Sequence, residues 1–184
     1  MKTAYVIHEG VVVNAIVLED DADPAEFGAV FGPDEAGIGW TFDGSNWTAP
    51  AEPEPSLEDL RAAKIAAITA AADALLSAGA PVDSGLHVAL DDGSRADLTA
   101  MASTAIAAAA GSISWPDSYS QGWISVENTR IPLATPAAGL ALAASVGNFY
   151  ATIIQRRRNL KDAALAAVDE VELAAIDEIT GWPG

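Results

Sequence analysis

Between Leu133 and Ile179 the apolar positions follow a helical period. Leu142, Val146, Phe149, Ile153 and Leu160 recur at steps of four, three, four and seven, which keeps one seam on a single helical face for about five turns. Thr135 and Pro136 open the run as an N-cap and a first-turn proline, whose missing N–H would have had no partner anyway. Asp169-Glu170-Val171-Glu172 offers a second cap, so the pattern predicts a long helix, a break near Val168 and a shorter helical tail. Such a seam has to be covered, either by the chain's own residues Leu57 to Leu76 or by another subunit.

The N-terminal pattern has a different period. Tyr5-Val6-Ile7-His8 and Val11 to Leu18 flank Glu9-Gly10, which predicts a β-hairpin closed by a two-residue turn. Asp20-Asp21-Ala22-Asp23-Pro24 opens a turn, with a short helical stretch through Phe27. Ile38 to Asp43 alternates as a strand, and Gly44-Ser45-Asn46 turns the chain into Trp47-Thr48-Ala49. Residues 1–49 are therefore expected to form a small antiparallel β module. Pro50-Ala51-Glu52-Pro53-Glu54-Pro55 has proline and charge with almost nothing apolar, the composition of an extended linker. Residues 56–184 follow as a mainly helical domain with interspersed hairpins, so the expected fold class is α+β.

Within that domain Ser56, with Asp59 three residues on, caps a helix whose apolar face includes Leu57, Leu60, Ile65 and Ile68 and which Gly79 and Pro81 end. Residues 82–93 read as a hairpin, and Ser94 with Asp97 caps an alanine-rich helix running to about Ala110. Ile113 to Pro116 and Gly122 to Val126 read as two strands around a polar loop. No long repeat is visible.

Composition narrows the partners. The net charge of −17 is concentrated early: −8 in residues 1–50, −6 in residues 51–110 and −3 in residues 111–184. Phosphate backbones would repel such a chain, so nucleic acid is not an expected partner. No apolar run approaches the ~18 to 20 residues of a membrane span, so none is expected. Met1 to His8 reaches Glu9-Gly10 too soon for a signal peptide. The absence of cysteine excludes disulfides and thiolate metal sites. Forty alanines favour helices that pack closely while each buries little surface, which makes a homo-oligomer plausible.

No catalytic constellation emerges, and neither a cofactor nor a metal is expected. His8 and His87, the two histidines, fall in strand patterns without ligand spacing. Asp20-Asp21-Ala22-Asp23 and Asp91-Asp92-Gly93 lack the register of a calcium loop and suit turns. Ser56, Ser94 and Ser112 have no nucleophile elbow around them, and the glycines of residues 10–39 make no phosphate-binding spacing. Trp40 and Trp47, with Trp115, Trp123 and Trp182, suit a core, a protein interface or a sugar platform. Arg156-Arg157-Arg158 fans over about 200° of a helix, so at least one of the three reaches the seam or its edge. Arg157 pairing with an acidic residue of a neighbouring helix or subunit is the sharper reading, and a solvated face the plainer one. The interface candidates are Trp40, Trp47, Phe149, Ile153, Arg157 and Leu160.

Several stretches in order carry a resemblance: Leu57 to Ile65, Leu90 to Leu98, Ile113-Ser114-Trp115, Asn128-Thr129, Glu172 to Ile176 and Gly181-Trp182-Pro183. Together they resemble a domain of unknown function that recurs in tail-fibre proteins of tailed bacteriophages and prophages, over about residues 56–184. Gly10 to Ile16 and Ile38 to Gly44 are similar to the small leading module of tail-fibre and tail-fibre-assembly proteins. The Pro116-to-Gln121 loop and the arginine triplet depart from the pattern. The resemblance implies a non-enzymatic virion or assembly protein with other phage tail or tail-fibre proteins as partners. It would reside in the virion, and in the host cytoplasm during assembly. The leading expectation is a structural tail component; the others are a tail-fibre assembly chaperone and a receptor- or glycan-binding module.

Overall fold

Glu9 and Gly10 both adopt positive φ, 51° and 79°, the geometry whose twist matches the strands of a tight hairpin. They join β1 (Lys2–His8) to β2 (Val11–Leu18), with Tyr5 opposite Ala15 and a register shift between Val6 and Ile7. This hairpin belongs to a computed structural model that describes residues 1–184, and the chain divides into two units, Met1–Glu54 and Pro55–Gly184.

The first unit is one antiparallel sheet in the order β3-β1-β2-β4-β5, where β3 is Ala29–Phe31, β4 Thr41–Phe42 and β5 Trp47–Thr48. The strand expected over Ile38 to Asp43 shortens to two residues, with Gly39 at φ 90° ahead of it. Its flank still follows β2, with Val12 N–H donating to the Trp40 carbonyl and Gly39 N–H to that of Val12. Trp47 stacks on Phe42 at 4.5 Å between centroids and meets the edge of buried Tyr5 at 5.2 Å. Gly32 makes that packing possible, since a Cβ there would lie 2.6 Å from the Trp47 ring.

In the second unit α1 (Leu57–Ala78) begins at the expected capping box, with Ser56 Oγ accepting from Asp59 N–H and the Asp59 carboxylate from Ser56 N–H. The central helix α4 spans Pro136–Ala166 behind the Thr135 cap, and α5 (Glu170–Ala174) follows the Asp169 cap. Helix α2 (Asp92–Ala109) packs along the first half of α4, where Leu98 and Met101 meet Leu142 and Val146. Helix α1 covers the second half, with Ile68 against Leu160 and Ala164. The seam is thus closed within the chain. Ala72, Ala105 and Ala164 have no exposed surface, so small side chains set the close approach of the helices. Helix makes up 46% of the residues and strand 16%, with the long strands confined to the first unit, so the class is α+β.

Three local expectations are corrected. Helix α2 starts earlier than Ser94, because Asp91 is the cap that accepts from Ser94 N–H at 3.0 Å. Ile113 to Pro116 is not a strand: Pro116 starts a single helical turn, α3 (Asp117–Ser120). The Gly122-to-Val126 strand pairs forwards instead, as β8 (Trp123–Ile124) with β9 (Arg130–Ile131). Helix α4 is long and apolar enough to cross a membrane by length and composition alone. Leu133 to Gln155 carries no charge, yet Leu142, Val146 and Ile153 of this same helix form the core of the unit.

A repeat invisible in the sequence is also present. The hairpin of β6 (Ala80–Pro81) with β7 (His87–Val88) and that of β8 with β9 lie 43 residues apart. Each follows a glycine at high positive φ, Gly79 at 90° and Gly122 at 102°. An added Cβ would meet the facing carbonyl at 2.8 Å from Val88 O and at 2.7 Å from Ile131 O, respectively. The loops match too: Val82 N–H donates to Leu86 O and Gly85 N–H to Val82 O, as Ser125 N–H does to Thr129 O and Asn128 N–H to Ser125 O. Asn128 takes the positive φ that Gly85 has in the first copy, a conformation asparagine tolerates better than most residues. Each copy delivers a buried leucine, Leu90 or Leu133, to the cap of a core helix.

Candidate functional site

Several aspartates serve as helix caps. Asp23 accepts from Ala25 N–H, Asp91 from Ser94, and Asp169 from Glu172 N–H. Ser94 Oγ donates to Asp91, and together with the Ser94 N–H this holds the Asp91 carboxyl below its usual pKa. No group of three or more histidine, aspartate or glutamate side chains stands close enough to hold a metal.

Three cations of the second unit, Arg61, Lys64 and Arg156, hold main-chain carbonyls at or beyond helix ends. Arg61 of α1 donates from Nε to Ala164 O at 3.1 Å and from Nη2 to Ala167 O at 3.0 Å, which satisfies carbonyls that the end of α4 leaves without helical partners. Lys64 pairs with Glu178 at 2.8 Å and donates to Ile176 O. Within the arginine triplet, Arg156 reaches the carbonyls of Asp177 and Thr180 and lies over the Trp182 ring. Arg157 Nη1 approaches Asp73 of α1 at 3.5 Å, a partly exposed contact, and Arg158 pairs with Asp162 one turn on.

The remaining interface candidates are placed as follows. Ile153 is fully buried and Leu160 nearly so, both inside the chain's own helical core. Phe149 is half-buried beside the α2–α4 core. Trp40 and Trp47 are half-buried in the first unit, and Trp47 is held in the aromatic cluster with Phe42 and Tyr5. Two of the six thus belong to the first unit and four to the second. Trp115 donates from its indole to Leu133 O at 2.8 Å and stacks on Tyr119, while Trp182 donates to Glu178 O. The rings of Trp47, Trp115 and Trp182 thus have structural partners.

His87 acquires a specific one. Glu127, in the second hairpin loop, accepts the His87 N–H at 3.0 Å through one oxygen and approaches the His87 Nδ1 at 2.8 Å through the other. The adjacent Val126 N–H donates to His87 O, so the two hairpins are tied edge to loop. The His87 backbone N–H and then its side chain pull the Glu127 carboxyl down to about 2. Asp177 is also lowered to about 2, first by the Thr180 hydroxyl and then by backbone N–H groups. A carboxyl depressed in the folded state stabilises fully above its unfolded value, and the gain is lost as pH falls through the folded value. Thermal stability should therefore fall between about pH 4.5 and 2. Glu127→Gln should flatten part of that slope in a melting-temperature series against pH and leave the neutral-pH fold intact.

One cavity stands apart from these ties. It lies between α2 and α4, has a volume of about 330 Å³, and has Leu90, Leu98 and Val146 among its lining. Arg95 and Tyr150 flank it, the guanidinium 4.3 Å from the ring centroid. Gly147 of α4 opens onto it: a Cβ there would meet nothing within 4 Å, and no positive φ requires glycine. Gly147→Ala is accordingly expected to stabilise the chain by about 0.5–1 kcal/mol, measured by urea denaturation, through helix propensity alone. Sequence reading missed this site because α2 and α4 meet only in the fold. The one available signal was a mid-helix glycine in an alanine-rich run.

What the fold and these contacts define is a two-unit α+β protein whose second unit is tied together by helix caps and by Arg61, Lys64 and Arg156. Residues 59–180, from the first turn of α1 to the segment held by Arg156, match the family described as domain of unknown function DUF4376, and the chain belongs to that family. No curated protein matches the chain.

Proposed function

We propose that this protein is a non-enzymatic structural component of a bacteriophage tail, associated with the tail fibre and working through protein–protein attachment. The observation that carries the reading is family membership, because domains of this family are frequent in phage proteins. The likeness of the leading β module to tail-fibre and tail-fibre-assembly proteins supports the fibre assignment. The way the polar side chains are used fits the same reading. Caps, helix ties and the Glu127–His87 clamp occupy residues that a reaction centre would need free.

The deciding experiment is mass spectrometry of purified particles of the phage or prophage that encodes the chain. The protein is expected at a fixed ratio to known tail proteins. Its absence from particles, combined with co-purification with free fibres from infected cells, would replace this reading with that of an assembly chaperone. Glycan or host-cell binding by the isolated protein would instead favour a receptor-binding module.

A further inference from the structure

We propose that the α2–α4 cavity is a binding site for a small apolar carboxylate, its hydrocarbon body on Leu98 and Val146 and its anionic head on Arg95. At about 330 Å³ the cavity falls within the range of small-molecule sites, near its lower end, and its lining is predominantly apolar with one cation at its edge.

Three features of Arg95 suit it to a carboxylate. Its planar guanidinium lies over Tyr150, which orients the donor fork and removes part of the entropy cost of binding. Its Nε is shielded from water and has no hydrogen-bond partner. Its ion pair is with Asp92, a side chain 97% exposed against 35% for Arg95, so the carboxylate partner is solvated and exchangeable. A carboxylate entering from the apolar side would meet the guanidinium in drier surroundings, where charge-assisted hydrogen bonds are stronger. The overall charge of −17 opposes an anion at long range, but solution ions screen that repulsion beyond about 8 Å at physiological salt.

Gly147 is the independent observation. Neither close packing nor backbone conformation requires glycine there, and a glycine in mid-helix weakens the helix relative to the alanines around it. Its place in the lining leaves that part of the cavity wall without a side chain. The proposal does not depend on the tail reading, since it concerns the chemistry of the cavity whatever the protein is attached to.

The test is titration of the full chain with 3-phenylpropionate and hexanoate, and with the matching alcohols, followed by amide chemical shifts. Saturable shifts are expected at α2 and α4, with the carboxylates binding about tenfold more tightly than the alcohols. Arg95→Gln should abolish that preference, and Arg95→Lys should restore only part of it. Gly147→Leu, which fills the cavity with a better helix former, should block all four ligands while circular dichroism stays unchanged. Equal binding of acids and alcohols, shifts located elsewhere, or undiminished binding by Gly147→Leu would each overturn the assignment. So would the absence of saturable binding by any of the four.

Discussion

Ile153→Ala is expected to lower the stability of the helical unit by about 2–5 kcal/mol, the range for removing a large aliphatic side chain from a packed core. Ile153 has no exposed surface and sits midway along α4, after the α2 contact and before the α1 contact closes over Leu160. Urea denaturation followed by far-UV circular dichroism measures the loss. Ile106→Ala, at a position 61% exposed on α2, should stay within about 0.5 kcal/mol. If Ile153→Ala left stability unchanged and altered the oligomeric mass instead, the seam would be covered by another subunit.

Gly122→Ala should be nearly as damaging for a different reason. Its φ of 102° is outside the range of L side chains, and the new Cβ would lie 2.7 Å from Ile131 O and 3.3 Å from the Arg130 Cβ. The backbone conformation alone costs about 1–3 kcal/mol, and the carbonyl that collides is locked in the β8–β9 pair, so the strand must move as well. The same substitution at Gly79 should behave alike, since Val88 O stands 2.8 Å away. Gly85→Ala isolates the conformational part: it shares the positive φ, 74°, but its Cβ would enter open space. The expected order of destabilisation in chemical denaturation is therefore Gly122 and Gly79 first, then Gly85. Gly147 lies on the stabilising side.

How much of this was legible in the sequence depended on distance along the chain. The Glu9-Gly10 turn, the Ser56–Asp59 box, the Thr135-Pro136 start and the break before α5 are local events, and local residues announced them. The seam at Leu142, Val146, Ile153 and Leu160 was visible by period, and Leu57 to Leu76 was one of the two covers it allowed, but the share that α2 takes was not readable. The two hairpins share a geometry carried mostly by backbone. In the aligned stretches only Gly79 with Gly122 and Leu90 with Leu133 are identical, too little to register as a repeat. Short pairs such as β8 with β9 gave no alternation to read, and Ile113 to Pro116 looked strand-like because Ile and Trp suit both states. The α2–α4 cavity needed residues some fifty positions apart to be brought together.

The disposition of the cations has one more consequence. Eight of the nine basic side chains have a partner within the chain, and Arg61, Arg130 and Arg156 hold main-chain oxygens, which leaves that many more carboxylates without a counter-charge. The molecule therefore presents itself to others as a polyanion. Two copies brought together in dilute buffer push each other away, and added electrolyte relaxes that push. Crowding many of them side by side would call for a cationic neighbour between them.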